Sequence, residues 1–248
     1  MANRSDTDTK AGEEAPIRGS GDPLVAASGV FKSYRLGQSR VEAIRDVTLE
    51  IARGEFVALQ GPSGSGKTTL LNLLGLLDRA DQGRVSFAGK DTEALSEDDR
   101  SDLRRDRFGF VFQMFNLIAV LSAEENISYP MALAGATAPE RRARTQELLS
   151  AVGLADKAAV RPDLLSGGQR QRVAIARALA NEPAVIFADE PTANLDSKTA
   201  DDILDLMRSI NESRGVAFLF ATHDPRVVSR ARRVISLHDG QIESDRSR

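Results

Sequence analysis

Three short apolar runs punctuate the chain: Phe56–Gln60 (FVALQ), Ala184–Ala188 (AVIFA) and Val216–Thr222 (VAFLFAT). Helical segments separate them, the pattern of buried parallel strands joined by crossovers, which predicts an α/β sheet. Residues 25–54 and 83–92 instead alternate apolar and polar positions around glycine-containing turns, predicting an antiparallel β region beside the parallel core. Near the C-terminus VISLHDGQIES reads as a hairpin across Asp239-Gly240. Between about Asn116 and Leu165 the pattern turns helical. Pro139 is placed for the first position of a helix, and Leu148, Leu149 and Val152 form an apolar stripe ending at Gly153. This stretch predicts an inserted helical subdomain, about 116–165. No internal repeat is visible.

With 248 residues, 41% of them hydrophobic, the chain can form one sizeable α/β domain, expected over 25–248. Residues 1–24 are polar, lack the apolar centre of a secretory signal and read as a disordered extension. Runs such as LLNLLGLL (Leu70–Leu77) fall far short of the roughly 18 residues that span a bilayer. Any membrane role must then go through a partner. A net charge of -3 offers no broad basic field for a nucleic-acid backbone, so no nucleic acid is expected. The absence of cysteine excludes a disulfide framework and a thiolate metal site and is compatible with the cytosol.

Candidate chemistry sharpens this outline. The strand FVALQ runs into Gly61, Pro62, Ser63, Gly64, Ser65, Gly66, Lys67, Thr68 and Thr69, and an apolar helix follows. In such a G-x-x-x-x-G-K-[ST] string the glycines let the backbone curl with its N–H groups inward. Lys67 reaches the β- and γ-phosphates, Thr68 offers a hydroxyl to Mg²⁺, and Thr69 extends the helix start toward phosphate. The expected fold is therefore P-loop NTPase-like. The run AVIFADEPT ends in two acids: Asp189 is suited to holding Mg²⁺ through water, and Glu190 to polarising an attacking water as general base. A second phosphate-facing helix start comes in LLSGGQRQRVAIARAL, where Ser166, Gly167 and Gly168 precede an unbroken helical pattern.

Taken in order, the phosphate loop, Gln113 in GFVFQ, LSGGQ at Leu165–Gln169, Asp189-Glu190, NLDS at Asn194–Ser197 and His223 in ATHD resemble the ATP-binding cassette (ABC) family over about residues 25–245. That resemblance implies an ATPase using ATP and Mg²⁺, with Lys67, Gln113, Glu190 and His223 in the catalytic set. It implies a head-to-tail pair of cassettes, the LSGGQ of one closing over the ATP of the other. Ser166, Gly167, Gly168 and Gln169 would then face a γ-phosphate across the interface, on a helix beginning near Gly168. By the same resemblance Tyr34 stacks on adenine, and Gln113 touches Mg²⁺ or the attacking water and reports to the helical subdomain. His223 orients the water on the γ-phosphate, and Asp196 couples the two sites. His238 receives no role, and Ser96–Arg107 reads as a solvated helix capped by Ser96.

The segment Arg104–Gly135 resembles the cassettes of lipoprotein-release, macrolide-efflux and cell-division systems. The implied partners are a transmembrane permease and a second ATPase subunit, with the chain at the cytoplasmic face of the cell membrane. A soluble ABC protein acting on ribosomes or DNA usually carries two cassettes or a long coiled coil before LSGGQ, and no heptad run lies between Lys67 and Ser166 here. A small-molecule kinase would not require LSGGQ, NLDS or ATHD.

Overall fold

The computed structural model describes residues 22–248 apart from Gln38. Most of the expected N-terminal extension thus lies outside the described residues. Leu24, expected within it, is buried, and its amide donates to the Ile51 carbonyl.

The alternating regions form a four-stranded antiparallel sheet of order β2-β1-β4-β5, from β1 (Val25–Leu36), β2 (Ser39–Ile51), β4 (Gln82–Phe87) and β5 (Lys90–Asp91). The apolar runs become β3 (Phe56–Gln60), β7 (Val185–Asp189) and β8 (Ala217–Thr222). With β6 (Phe108–Val111), β9 (Arg233–His238) and β10 (Gln241–Ser247) they form a second sheet, ordered β10-β9-β3-β8-β7-β6, parallel except for β10. The hairpin turns at Asp239-Gly240 with both residues at positive φ (45° and 78°), the geometry whose twist matches paired strands. It extends the main sheet at its edge.

Side-chain alternation explains why the bodies of β3, β7 and β8 are apolar on both faces. Val57, Leu59, Val185 and Phe187 join one core, with the antiparallel sheet and α1 (Lys67–Leu74). Phe56, Ala58, Ile186 and Ala188 join another, with α3 (Ala123–Leu133), α4 (Ala138–Ala151), α5 (Gly167–Ala178) and α6 (Ser197–Arg214). Successive residues point to opposite faces and both faces are covered, so the strands stay apolar until their carboxyl ends, where Gln60, Asp189 and Thr222 stand.

Helix boundaries depart from expectation by single residues. Thr137 caps α4, so Pro139 stands second in the helix, and Gly153 ends its stripe at φ 71°. Ser166 caps α5, so Gly167 and Gly168 are its first two residues and do not precede it.

The expected solvated helix needs a larger correction. Helix α2 (Glu97–Arg107) is capped by Ser96, whose Oγ accepts from the Asp99 amide, but Arg100 is 1% exposed. Its guanidinium donates to the carbonyls of Leu76, Asp78 and Thr92 at 3.3, 2.8 and 3.5 Å. Leu76 leaves α1 at φ 57°, so the chain turns there with carbonyls that no ladder serves. The buried cation supplies their donors, because an unpaired carbonyl in that interior is costly. Replacing Arg100 by Met should lower stability by roughly 3 kcal/mol. At this chain length that is a fall of about 6–12 °C in the thermal midpoint. A midpoint within a degree of the parent would show that the carbonyls find other donors.

Candidate functional site

At the carboxyl end of β3 the chain curls through Gly61–Gly66 into α1, and Gly66 caps the helix at φ 101°. The amides of Gly64, Gly66, Lys67, Thr68 and Thr69 have no backbone acceptor among the described residues. These N–H groups gather at the positive end of α1, as anion binding requires. Lys67 is buried, and its Nζ donates to the Gly61 and Pro62 carbonyls at 2.8 and 2.9 Å. The Ser65 hydroxyl is buried without a partner in the same curl.

Two strands away, β7 delivers Asp189. Thr68 Oγ1 donates to its two oxygens at 3.0 and 3.2 Å. Burial pushes the Asp189 carboxyl up, against the Thr68 hydrogen bond, and the neighbouring Glu190 charge adds to the rise. Glu190 itself turns into left-handed backbone at φ 43°, its amide on the Ala221 carbonyl. That turn aims its carboxylate along the edge of the sheet toward β8, where it accepts from Thr222 Oγ1 at 3.0 Å and the His223 amide at 3.2 Å. It also contacts His223 Nδ1. Lys67, Thr68, Asp189, Glu190 and His223 thus meet at one edge, each placed by the end of a parallel strand.

The hydroxyl–carboxylate pair suits Mg²⁺, which keeps several waters and usually takes one or two protein ligands beside phosphate oxygens. No cluster of three or more His, Cys, Asp or Glu able to hold a metal occurs among the described residues, so an all-protein cage is absent there.

The other predicted residues stand apart from this edge. Ser166 Oγ accepts from the Gln169 amide and Gln169 Oε1 from the Ser166 amide, a complete capping box. The amides of Gly167 and Gly168 have no acceptor among the described residues. A Cβ at Gly168 would stand 2.3 Å from the Thr199 methyl, so the start of α5 packs on the start of α6. There Asp196 serves as the cap, accepting from the Thr199 amide and hydroxyl at 3.0 and 2.6 Å. Gln113 is exposed, and its described hydrogen bond is a backbone one, from Asn194 Nδ2 at 2.9 Å. Its side chain is not brought onto Thr68 or Asp189. Tyr34 lies on β1, its hydroxyl donating to Asp78 at 2.7 Å.

The profile of the ABC transporter family matches residues 44–193. The chain belongs to this family.

An uncharacterized ABC transporter ATP-binding protein of Thermotoga maritima is 48% identical over 86% of this chain and 91% of its own length. The macrolide export ATP-binding/permease protein MacB of Bradyrhizobium diazoefficiens is 47% identical over 91% of this chain. The chain spans about a third of that relative, 34% of its length. Among solved structures, a dimeric ATP-binding cassette in a post-hydrolysis state, bound to ADP and Pi, superposes with a TM-score of 0.84. It is 43% identical and covers 90% of this chain and 98% of its own. The protein is an ABC ATPase cassette with the α/β fold of that family.

Several groups of this cassette escape sequence reasoning. Arg177 of α5 donates to the carbonyls of Phe115 and Asn116, which both sit at positive φ (62° and 48°). Asn194 bonds the Gln113 backbone, and Thr192 donates to Asp224 at 2.7 Å. None of these has a spacing signal, since each contact joins residues distant in sequence.

Asp224 caps the short helix α7 (Pro225–Arg230) and also accepts from the Arg226 guanidinium at 2.8 Å. Burial alone would raise its carboxyl; Arg226 and Thr192 outweigh burial and hold it at about 2, below the ordinary 3.8. A depressed folded-state value stabilises the fold above the unfolded value, and the contribution fades as pH falls toward about 2. Asp224→Asn should therefore be less stable than the parent at pH 7, with the gap narrowing below about pH 4 in urea unfolding curves. A gap unchanged from pH 7 to pH 3 would rule out the ionised carboxylate as its source.

Proposed function

We propose that this cassette is the ATP-binding and ATP-hydrolysing subunit of a membrane transporter. It works as a head-to-tail pair with a second copy and drives export or mechanical extraction through a separate permease. The observation that carries this reading is the pair of unserved N–H clusters, one at Gly64 and Gly66–Thr69 and the other at Gly167–Gly168, which share no hydrogen bond among the described residues. One chain holds ATP on the first and presents the second to the nucleotide of its partner. The solved relative that is dimeric and bound to ADP and Pi supports this arrangement.

In this reading Lys67 leaves the Gly61 and Pro62 carbonyls for the β- and γ-phosphates, and Gly61–Thr69 cradles them. Tyr34 stacks on adenine. Thr68, Asp189 and Gln113 would hold Mg²⁺, which when bound would neutralise developing phosphate charge. Glu190 takes a proton from the attacking water as that oxygen bonds the γ-phosphorus and the bridge to ADP breaks. The contact with Glu190 engages His223 Nδ1 and leaves Nε2 to face the γ-phosphate. Ser166, Gly167, Gly168 and Gln169 close over the γ-phosphate of the partner, and Asp196 lies at the same seam.

The cassette proper takes in the buried Leu24 together with 25–248, with its helical subdomain at about 116–165. No described helix is long and apolar enough to cross a membrane; in this reading attachment at the cytoplasmic face runs through the permease. The docking groove, about 370 Å³, lies beside Gln113, between Phe110, Phe112, Tyr129, Leu133 and Arg177. Exposed Tyr129 and Leu133 give it an apolar rim.

Two sets of variants test this function. Lys67→Ala should abolish ATP binding, whereas Glu190→Gln should bind ATP and hydrolyse it about 10²–10⁴-fold more slowly. Ser166→Arg should bind ATP and fail to dimerise or hydrolyse, yet regain activity when mixed with Lys67→Ala, since each chain supplies the half the other lacks. A monomeric Ser166→Arg chain hydrolysing at the parental rate would show that both glycine motifs serve one chain's own nucleotide.

For docking, cysteines at Val120 and Tyr129 on the cysteine-free chain should crosslink to a multi-spanning membrane protein in native membranes, and one at Val41 should not. Silence at all three positions would count against a transporter role.

A further inference from the structure

Tyr34 and Lys32 stand two residues apart on β1 and therefore share one face of the strand. The Lys32 ammonium lies 5.3 Å from the centre of the Tyr34 ring. It also donates to Asp78 Oδ1 at 2.7 Å and to the Arg79 carbonyl at 2.6 Å. Asp78 uses its second oxygen to accept from the Tyr34 hydroxyl, again at 2.7 Å. The Arg79 amide donates to Oδ1, so the carboxylate is held from three sides. Its backbone is fixed as well: the buried Arg100 donates to the Asp78 carbonyl, and the Asp78 amide reaches the Asn72 carbonyl of α1. The Tyr34 ring, 37% exposed, is thus pinned at its hydroxyl and covered by an ammonium without being buried.

We propose that Asp78 and Lys32 are positioning residues that fix the Tyr34 ring in advance as the platform for the adenine base. The proposal rests on the reading of Tyr34 as the adenine contact. An unpinned exposed tyrosine would have to lose rotamer freedom each time a base stacked on it, which weakens binding. Here that ordering is complete before the nucleotide arrives. The loop that carries Asp78 follows directly on α1, so platform and phosphate cradle keep a fixed separation. A cation on one π-face and a base on the other are both favourable contacts for the ring. Burial and the Asp78 carboxylate push the Tyr34 phenol up to about 12, in keeping with a hydroxyl that stays protonated and donating.

The test compares ADP with pyrophosphate, which lacks the base, by titration calorimetry, so that hydrolysis does not interfere. Tyr34→Ala should weaken ADP at least about tenfold, as loss of a stacking partner does, and leave pyrophosphate unchanged. Asp78→Ala and Tyr34→Phe should each weaken ADP roughly 3- to 10-fold with no change for pyrophosphate. Tyr34→Phe removes only the hydroxyl and leaves the loop whole, which separates positioning from folding. The chain has no tryptophan and 2 tyrosines, so in a Tyr129→Phe background the emission is that of Tyr34. That emission should rise in Asp78→Ala, because a carboxylate that accepts the phenol proton quenches it. Parental ADP affinity in Asp78→Ala and Tyr34→Phe, with Tyr34→Ala weakened, would overturn the positioning role and leave the platform standing. Equal loss of ADP and pyrophosphate in Asp78→Ala would assign Asp78 to the phosphate cradle and overturn the proposal. Parental ADP affinity in Tyr34→Ala would overturn the adenine reading itself.

Discussion

Where the loop between β3 and α1 turns, backbone from two other segments occupies the space a side chain would need. A Cβ on Gly61 would stand 2.1 Å from the Leu237 carbonyl oxygen of β9, and one on Gly66 2.4 Å from that of Ala43 in β2. The Gly240 amide donates to the Ser65 carbonyl, and the Gly240 carbonyl accepts from Arg45, which closes the ring of contacts. Only a residue without a Cβ fits such approaches. They lock the curl of the loop, and with it the direction of every unserved N–H group at the start of α1. The antiparallel sheet and the C-terminal hairpin carry none of the acids at the edge, yet they form the wall against which the cradle is cast. Tyr34 belongs to the same sheet, so ring and cradle share one support.

The two helix starts with unserved amides differ in their electrostatics. The edge formed by β3, β7 and β8 is charged: Lys67 rests on carbonyls, while Asp189 and Glu190 lie side by side and draw on Thr68, Thr222 and His223 for hydrogen bonds. Adjacent carboxylates at a partly buried edge repel, which is part of why Asp189 is pushed up. The LSGGQ start has no ionised side chain from Ser166 to Gln169 and offers only amides and the helix dipole. A charged half and a dipolar half can meet around one anionic ligand without either burying an unpaired charge beforehand.

Strain near the helical subdomain has a similar origin. Phe115 and Asn116 occupy left-handed backbone, which costs on the order of 1–3 kcal/mol each. The Arg177 guanidinium binds both carbonyls, and Arg170 lies 5.1 Å from the Phe115 ring. The turn next to Gln113 is therefore held by α5, the helix that LSGGQ begins.

What the sequence determined by itself was whatever is decided over a few consecutive residues. The phosphate loop needs glycines, a lysine and a threonine at fixed short spacings. A strand covered on both faces needs an unbroken apolar run, and Asp239-Gly240 meets the backbone demands of its turn. Family, sheet class and the acids at the strand end were legible for that reason. Tertiary structure decided what depends on contacts across the chain. Arg100 is a buried donor because loop carbonyls from Leu76, Asp78 and Thr92 converge on it, and Asp78 meets Tyr34 because β1 lies beside the end of α1. Charge patterning marks Arg100 as solvated, since a polar side chain reads as exposed until the groups that satisfy it are known.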